Sequence, residues 1–307
     1  MPGSVIHVYH ESAEYLAQLV RRSAPGREVV PLSTREALAA ALPEGALLAG
    51  YSLGARLALD AALRGTVRLC GTLLIGGLAT HAASPHLLKA DYDPLKDFEP
   101  VGMIGSAPII AITFNESPYK TLKDVVDAAR KDPKGVMYGS SGNGSPLHLA
   151  GELFTSQNKI DMTHVPYKGG NAHIMDLIGG RVPVIFDTAT NCVPLLKSGK
   201  VRALAVGAPA RLPDFPNVPT FAEAGYPQFD FSAWYAVFAP AKTPKDVVAK
   251  LNAAVATMLS SQEFVDQQLV PQGMSAMNMT PPQFGAHIKS ETDRMTRIVQ
   301  LSGAKVD

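Results

Sequence analysis

The sequence has few of the residues that build disulfide scaffolds, metal centres or strongly charged surfaces. Only two cysteines, Cys70 and Cys192, occur in 307 residues. Both lie inside apolar runs, which favours two buried thiols over a disulfide. No Cys or His cluster has the spacing of a zinc site, so we expect neither a metal nor a cofactor. The net charge of +1 gives no basis for binding nucleic acid or an anionic membrane.

The chain also lacks a long apolar run. The longest uncharged stretch, residues 69–88, contains glycines, two histidines and a proline, which indicates a buried strand and loop rather than a membrane span. No basic segment followed by an apolar one opens the sequence, so we expect a cytoplasmic protein or a mature form without its leader. At roughly 100–200 residues per domain, the length favours two domains.

Strand-like and helix-like segments alternate along the chain. The first hundred residues follow the order βαβαβαβ, which predicts a parallel sheet with helices on its faces. The alternation restarts at Gly135 and gives a second α/β unit. The apolar runs 101–113 and 231–240 connect the two units. We therefore expect two lobes with a ligand cleft between them.

The segment from Tyr138 to His148, YGSSGNGSPLH, joins a predicted strand to a predicted helix. Ser145 suits the N-cap of that helix, and Pro146 suits its first position. Glycines allow backbone N–H groups to approach a ligand, and a helix N-terminus adds roughly half a positive charge. The pattern favours an anion site, although an ordinary Gly/Ser connection is the alternative. It matches neither a Walker A loop nor a dinucleotide fingerprint.

Two further strand ends belong to the same unit and should lie at the same edge of the sheet. One reads Tyr167-Lys168-Gly169-Gly170, in which Lys168 either pairs with an acid or is solvated. The other contains Asp187 and Thr188. Asp187 either accepts a hydrogen bond from a ligand or caps the helix that follows it.

The motif Gly50-Tyr51-Ser52-Leu53-Gly54 has the G-x-S-x-G pattern of an α/β-hydrolase nucleophile elbow. Asp187 and His287 follow Ser52 in the chain order of a hydrolase triad. However, no oxyanion motif precedes Ser52, and the predicted helix around His287 is a poor place for a catalytic histidine. An N-cap serine explains the same motif. A serine hydrolase therefore stays the alternative function.

From Thr72 to Asp307 the chain resembles the receptors of tripartite tricarboxylate transporters, the Bug-type periplasmic solute-binding proteins. The resemblance rests on segments that occur in family order: TLLIGG with THA, YDPLKDFEPV, YGSSGNGSPLHLAGELF, THVPYKGG, DLIGGRVPVIFD, KSGKVRALAV, PDFPNVPTFAEAGYP, AWYAVFAPAKTP and SGAKVD. It implies a non-enzymatic receptor in the periplasm that closes on a small mono- or dicarboxylate, amino acids and aromatic acids included. It also implies a membrane permease as the partner.

The resemblance further implies a two-lobed α/β fold of the periplasmic-binding-protein type, in which each lobe is a mostly parallel sheet flanked by helices. Lobe I would comprise residues 1–104 plus 233–307, and lobe II residues 105–232. The ligand would lie in the cleft between them. The candidate ligand-binding residues are Thr80, His81, Ser141, Gly142, Asn143, Gly144, Ser145, Tyr167, Lys168, Gly169, Gly170, Asp187 and Thr188.

Residues 1–71 diverge from the family pattern. Family members have a Pro-Gly-Gly-rich loop after the first strand, whereas this chain reads Tyr9-His10-Glu11-Ser12. Glu11 would repel a carboxylate, and the missing glycines would remove backbone N–H donors. A receptor-derived protein with altered or lost binding is therefore a second alternative.

Overall fold

The computed structural model describes residues 6–9, 29–32, 46–51, 69–83, 92–169 and 171–302. The predictions for Ser52, Glu11 and Gly170 lie outside these residues.

Four parallel strands form one end of the sheet. They are β1 (Ile6–Tyr9), β2 (Val29–Leu32), β3 (Ala46–Tyr51) and β4 (Leu69–Gly77), in the order β2-β1-β3-β4. All three pairings between them are parallel, which confirms the parallel sheet predicted from the alternating pattern. A short π-helical segment, Ala79–Ala83, follows β4.

Two long antiparallel strands occupy the middle of the sheet. They are β5 (Phe98–Phe114) and β10 (Ser232–Pro240), and β10 lies between β4 and β5. The first part of β5 pairs with β10, while the part from Ile109 to Phe114 pairs with β8 (Val184–Thr188) and β9 (Val201–Val206). Strand β5 therefore connects the two halves of the sheet.

The other half of the sheet is mixed. Strands β6 (Met137–Ser140), β7 (Thr163–Pro166) and β8 (Val184–Thr188) are parallel to each other. Strand β9 (Val201–Val206) pairs antiparallel with β5. The short strand β11 (Ser275–Ala276) also pairs with β5. Because β6, β7 and β8 run in the same direction, their carboxyl ends lie at one edge of the sheet.

Six helices of more than one turn lie in the described part of the chain. They are α1 (Leu122–Lys131), α2 (Pro146–Asn158), α3 (Ala172–Ile178), α4 (Ala189–Lys197), α5 (Lys245–Ser260) and α6 (Pro281–Ser302). Among the described residues, no helix combines the length and the apolar character that crossing a bilayer would require.

The core consists of two groups of buried side chains. The larger group contains the fully buried rings of Tyr138, Phe154 and Phe238. The smaller group lies around Ile110 and Cys192. Cys192 is a free, buried thiol, and burial raises its pKa well above the usual range. Burying one large apolar side chain stabilises the folded state by about 1.5–3 kcal/mol. Because both groups include side chains of the strands, they stabilise the sheet.

Candidate functional site

A cavity of about 250 Å³ lies where the ends of β4, β6 and β8 approach strand β10. Its walls come from the turn after β4, the starts of α2 and α4, one residue of α3 and the first part of β10. The described lining residues are Gly76, Gly77, Leu78, Ala79, Thr80, Ser141, Pro146, Leu147, His173, Asp187, Thr188, Thr190, Asn191, Ala233, Trp234 and Tyr235.

Helix α2 begins at the cavity with the predicted cap. The Ser145 hydroxyl accepts a hydrogen bond from the His148 N–H at 3.2 Å, and Pro146 occupies the first helical position. Both assignments made from the sequence are confirmed. The helix dipole gives this wall a partial positive charge, although Pro146 has no N–H and the His148 N–H is already capped.

Helix α4 also begins at the cavity, and Asp187 organises its first turn. The Asp187 Oδ1 atom accepts hydrogen bonds from the Thr188 N–H at 2.6 Å and from Asn191 Nδ2 at 3.0 Å. The hydroxyls of Thr188 and Thr190 are 2.8 Å apart. This geometry places two threonine hydroxyls on the cavity wall beside a helix N-terminus.

A buried, hydrogen-bonded pair of side chains forms part of this wall. His173 Nε2 is 2.8 Å from Asp187 Oδ2, and the two side chains are 1% and 0% exposed. Both Asp187 oxygens therefore have partners within the protein, and Thr188 rather than Asp187 occupies the N-cap position of α4. The ligand-acceptor role of Asp187 stays a prediction.

The turn after β4 forms the opposite wall. Thr80 Oγ1 accepts a hydrogen bond from the Gly77 N–H at 3.1 Å and lies 2.8 Å from His81 Nδ1. His81 itself does not line the cavity, because its ring stacks on Phe238 at 3.7 Å and is 2% exposed. Burial lowers the pKa of His81 to about 3, so the ring is neutral at neutral pH. Thr80 thus lies on the wall, while His81 lies behind it.

In the loop between β6 and α2, three N–H groups that we expected to face a ligand instead donate within the protein. The N–H groups of Gly142, Gly144 and Ser145 donate to Ser140 Oγ, His148 Nδ1 and the Gly142 carbonyl. These donors are used within the loop because the tight turn satisfies its own backbone. Ser141 lines the cavity, whereas Gly142, Asn143, Gly144 and Ser145 lie outside the described lining.

The loop after β7 lies outside the described lining as well. The Tyr167 hydroxyl donates to Asp176 Oδ2 at 2.6 Å, and burial together with that carboxylate raises the pKa of Tyr167 to about 12. Lys168 is exposed. The Gly169 N–H donates to the Ser141 carbonyl at 3.0 Å and so supports the loop that bears Ser141.

Several lining residues are absent from the sequence prediction. Gly76 and Gly77 end strand β4, and a Gly-Gly pair at a strand end is a signal that could have identified them. Trp234 and its neighbours reach the cavity through antiparallel pairing of β10 with β4. No local pattern indicates such a long-range pairing.

The cap of α2 gives a direct prediction. We expect Ser145→Ala to lower the free energy of unfolding by about 1 kcal/mol, because the His148 N–H loses its acceptor at 3.2 Å. Urea unfolding measures this difference. The control is Ser260→Ala, since that exposed hydroxyl bonds only to the Ala256 carbonyl within its own helix. Equal stability of the two variants would contradict the capping role.

Comparison with known proteins identifies the family. The profile described as "Tripartite tricarboxylate transporter family receptor" matches residues 69–304. The protein BugT of Bordetella pertussis is 33% identical over 215 residues, which is 70% of this chain and 66% of BugT. The chain spans 63% to 66% of the length of the first curated relatives that it matches, which is just under two-thirds.

Solved structures agree with this assignment over the whole fold. The structure titled "R. palustris Rpa4515 with adipate" superposes with a TM-score of 0.77 at 28% identity and covers 99% of each chain. MatC from Rhodopseudomonas palustris, solved with bound malate, gives a TM-score of 0.74 at 28% identity and covers 97% of this chain and 100% of its own. The chain therefore belongs to the tripartite tricarboxylate transporter receptor family.

Proposed function

We propose that this protein is a solute-binding receptor that captures a small mono- or dicarboxylate in the cavity described above. The observation that supports this most is the composition of the wall. The starts of α2 and α4 meet there, together with the hydroxyls of Ser141, Thr188 and Thr190. Among the described lining residues there is no lysine or arginine. Helix N-termini and hydroxyls would therefore hold the carboxylate.

The proposed partner is the membrane permease of a tripartite transporter, and the proposed location is the periplasm. Both follow from the family, whose members are transporter receptors. The lobes are proposed as residues 1–104 plus 233–307 and residues 105–232. Strand β10 lines part of the cavity, which is proposed to lie between these lobes. Closure would be stabilised by the contacts that the ligand adds in the closed state.

The serine-hydrolase alternative loses support at its acid and base. Asp187 bonds to His173, and His287 instead lies edge-on to Trp234 with ring centroids 5.6 Å apart. His287 also lies within α6. Since they contact different partners, Asp187 and His287 do not form the acid–base pair of a triad. No hydrolase function is proposed.

The chain's single tryptophan provides a direct binding assay. Trp234 is the only tryptophan in the sequence and lies on the cavity wall. We expect adipate or malate, the ligands of the two similar structures, or another small carboxylate to change its fluorescence and to raise the melting temperature. A ligand at a hundred times its dissociation constant stabilises a protein by about 2.7 kcal/mol. The panel should include other dicarboxylates, amino acids and aromatic acids.

A matched pair of threonine variants locates the site. Thr188→Val removes a wall hydroxyl and should weaken binding about tenfold or more, since a hydrogen bond to a charged group contributes roughly 1.5–3 kcal/mol. Thr257→Val changes an exposed hydroxyl on α5 and should leave affinity unchanged. If no acid in the panel shifts the wild-type protein at millimolar concentration, the alternative with lost binding is correct.

A further inference from the structure

Two histidines form a stacked pair beneath the loop between β6 and α2. His148 lies in the first turn of α2, and His164 lies on β7. Their ring centroids are 3.9 Å apart and their planes differ by 12°. Tyr138, a fully buried ring of the core, also stacks on His164 with a centroid distance of 5.0 Å. The pair is therefore packed against the core of this half of the protein.

Each histidine holds a different end of the loop. The Gly144 N–H donates to His148 Nδ1 at 3.0 Å. That nitrogen must be unprotonated, so the ring proton of His148 lies on Nε2, which faces Glu152 Oε1 at 3.7 Å. His164 Nε2 is 2.7 Å from Ser140 Oγ, which in turn accepts the Gly142 N–H at 3.1 Å.

The loop needs such support because of its glycines. Gly142 has a φ of 134° and Gly144 a φ of 72°, conformations that glycine adopts freely but does not favour over others. The same loop places Ser141, Pro146 and Leu147 on the cavity wall. A cavity wall that is fixed before the ligand arrives binds the ligand with a smaller entropic cost than a mobile one.

We propose that His148 and His164 are positioning residues that fix the loop of residues 140–145 in its ligand-binding shape, a role that rests on the proposed carboxylate site. His148 acts through its Nδ1 atom on Gly144, and His164 through its Nε2 atom on Ser140. Both rings work in the neutral form. Burial lowers the pKa of His148 to about 4, and burial together with His148 lowers that of His164 to about 3.

The two different ring nitrogens allow a crossed test. An asparagine amide occupies roughly the position of Nδ1, and a glutamine amide roughly the position of Nε2. We expect His148→Asn to retain adipate or malate affinity within about threefold and His148→Gln to lose about tenfold. At the other position the order reverses, so His164→Gln retains affinity and His164→Asn loses it. A role in packing alone would make the longer side chain better at both positions or equal at both.

A ligand-free measurement separates this proposal from the proposed function. Amide hydrogen exchange of Gly144 should accelerate about tenfold in His148→Gln and stay near the wild-type rate in His148→Asn. In the wild-type protein, imidazole ¹⁵N shifts should show an unprotonated Nδ1 at His148, which is measurable even if a variant fails to fold. A protonated Nδ1, or the absence of the crossed pattern in exchange, would overturn the proposal. Failure of the wild type to bind any acid would overturn only the proposed function.

Discussion

Gly77→Ala should destabilise the protein by about 3 kcal/mol and weaken carboxylate binding. A Cβ atom on Gly77 would lie 2.1 Å from the Trp234 carbonyl oxygen, because residue 77 of β4 pairs directly with Tyr235 of β10. The backbone fixes the positions of both the added Cβ atom and the carbonyl oxygen. No side-chain rotation therefore relieves the contact, and the strands must separate. Overpacking a rigid site costs 1–3 kcal/mol and sometimes more. Urea unfolding at neutral pH measures the loss.

Gly285→Ala is the matched control for this substitution. Its added Cβ meets only Pro100 Cγ at 3.8 Å, an ordinary contact. Gly285 lies within α6, where alanine is favoured over glycine by up to about 1 kcal/mol. The control should therefore be as stable as the wild type or more stable. Neutral surface substitutions change the free energy of unfolding by up to about 0.5 kcal/mol. If the free energy of unfolding of Gly77→Ala lies that close to the wild-type value, the close pairing of β4 with β10 is wrong.

Acidification below pH 6.5 should destabilise the protein steeply. Burial is the main cause that lowers the pKa of His81 and His164 to about 3 and that of His148 to about 4. In the unfolded chain each histidine titrates near 6.5. Between about pH 6.5 and pH 4 the unfolded state therefore binds more protons than the folded state, so the free energy of unfolding falls as the pH falls. The stability is fully present only above pH 6.5.

For these three histidines the slope has an upper limit. Each extra proton contributes about 1.4 kcal/mol per pH unit, so they give at most about 4 kcal/mol per unit. Burial also lowers the pKa of His287, which acts in the same direction. Glu152 acts in the opposite direction, because burial raises the pKa of its carboxyl group. Urea unfolding at pH 7, 6 and 5 measures the slope. His81→Leu should reduce it by about one proton, and a slope unchanged in that variant would contradict the burial of a neutral His81.

An added histidine provides the control for this measurement. Thr257→His places a histidine on the exposed face of α5, where the folded and unfolded states should titrate alike. The slope of that variant should equal that of the wild type. A steeper slope would mean that histidine content alone, rather than burial, sets the acid sensitivity.

The sequence was sufficient to predict the features that depend on residues close together in the chain. The N-cap at Ser145, the strand ends at Ser140 and Thr188 and the parallel order of β1 to β4 follow from patterns within a few residues. The family was also recognised from ordered motifs, and the profile match over residues 69–304 confirms it. The lobe boundaries and the ligand-binding list stay predictions.

The features of the fold and the site that were not predicted depend on contacts between residues that are distant in sequence. The partner of Asp187 on β8 is His173 on α3, and the ring stacked on His148 comes from β7. The wall at Trp234 exists because β10 pairs with β4, more than a hundred residues earlier in the chain. The loop from Gly142 to Ser145 was expected to donate to a ligand because hydrogen bonds within a turn cannot be seen in a glycine-rich sequence.

The position of β10 between β4 and β5 has a consequence for how the chain acquires its structure during synthesis. Strands β6 to β9 are complete once Val206 has been made, whereas the strand that separates β4 from β5 starts only at Ser232. Until then, β4 and the first part of β5 lack the neighbour they share, and unpaired strand edges are prone to aggregation. The nascent chain therefore has a late step in which its last long strand must insert between two earlier ones.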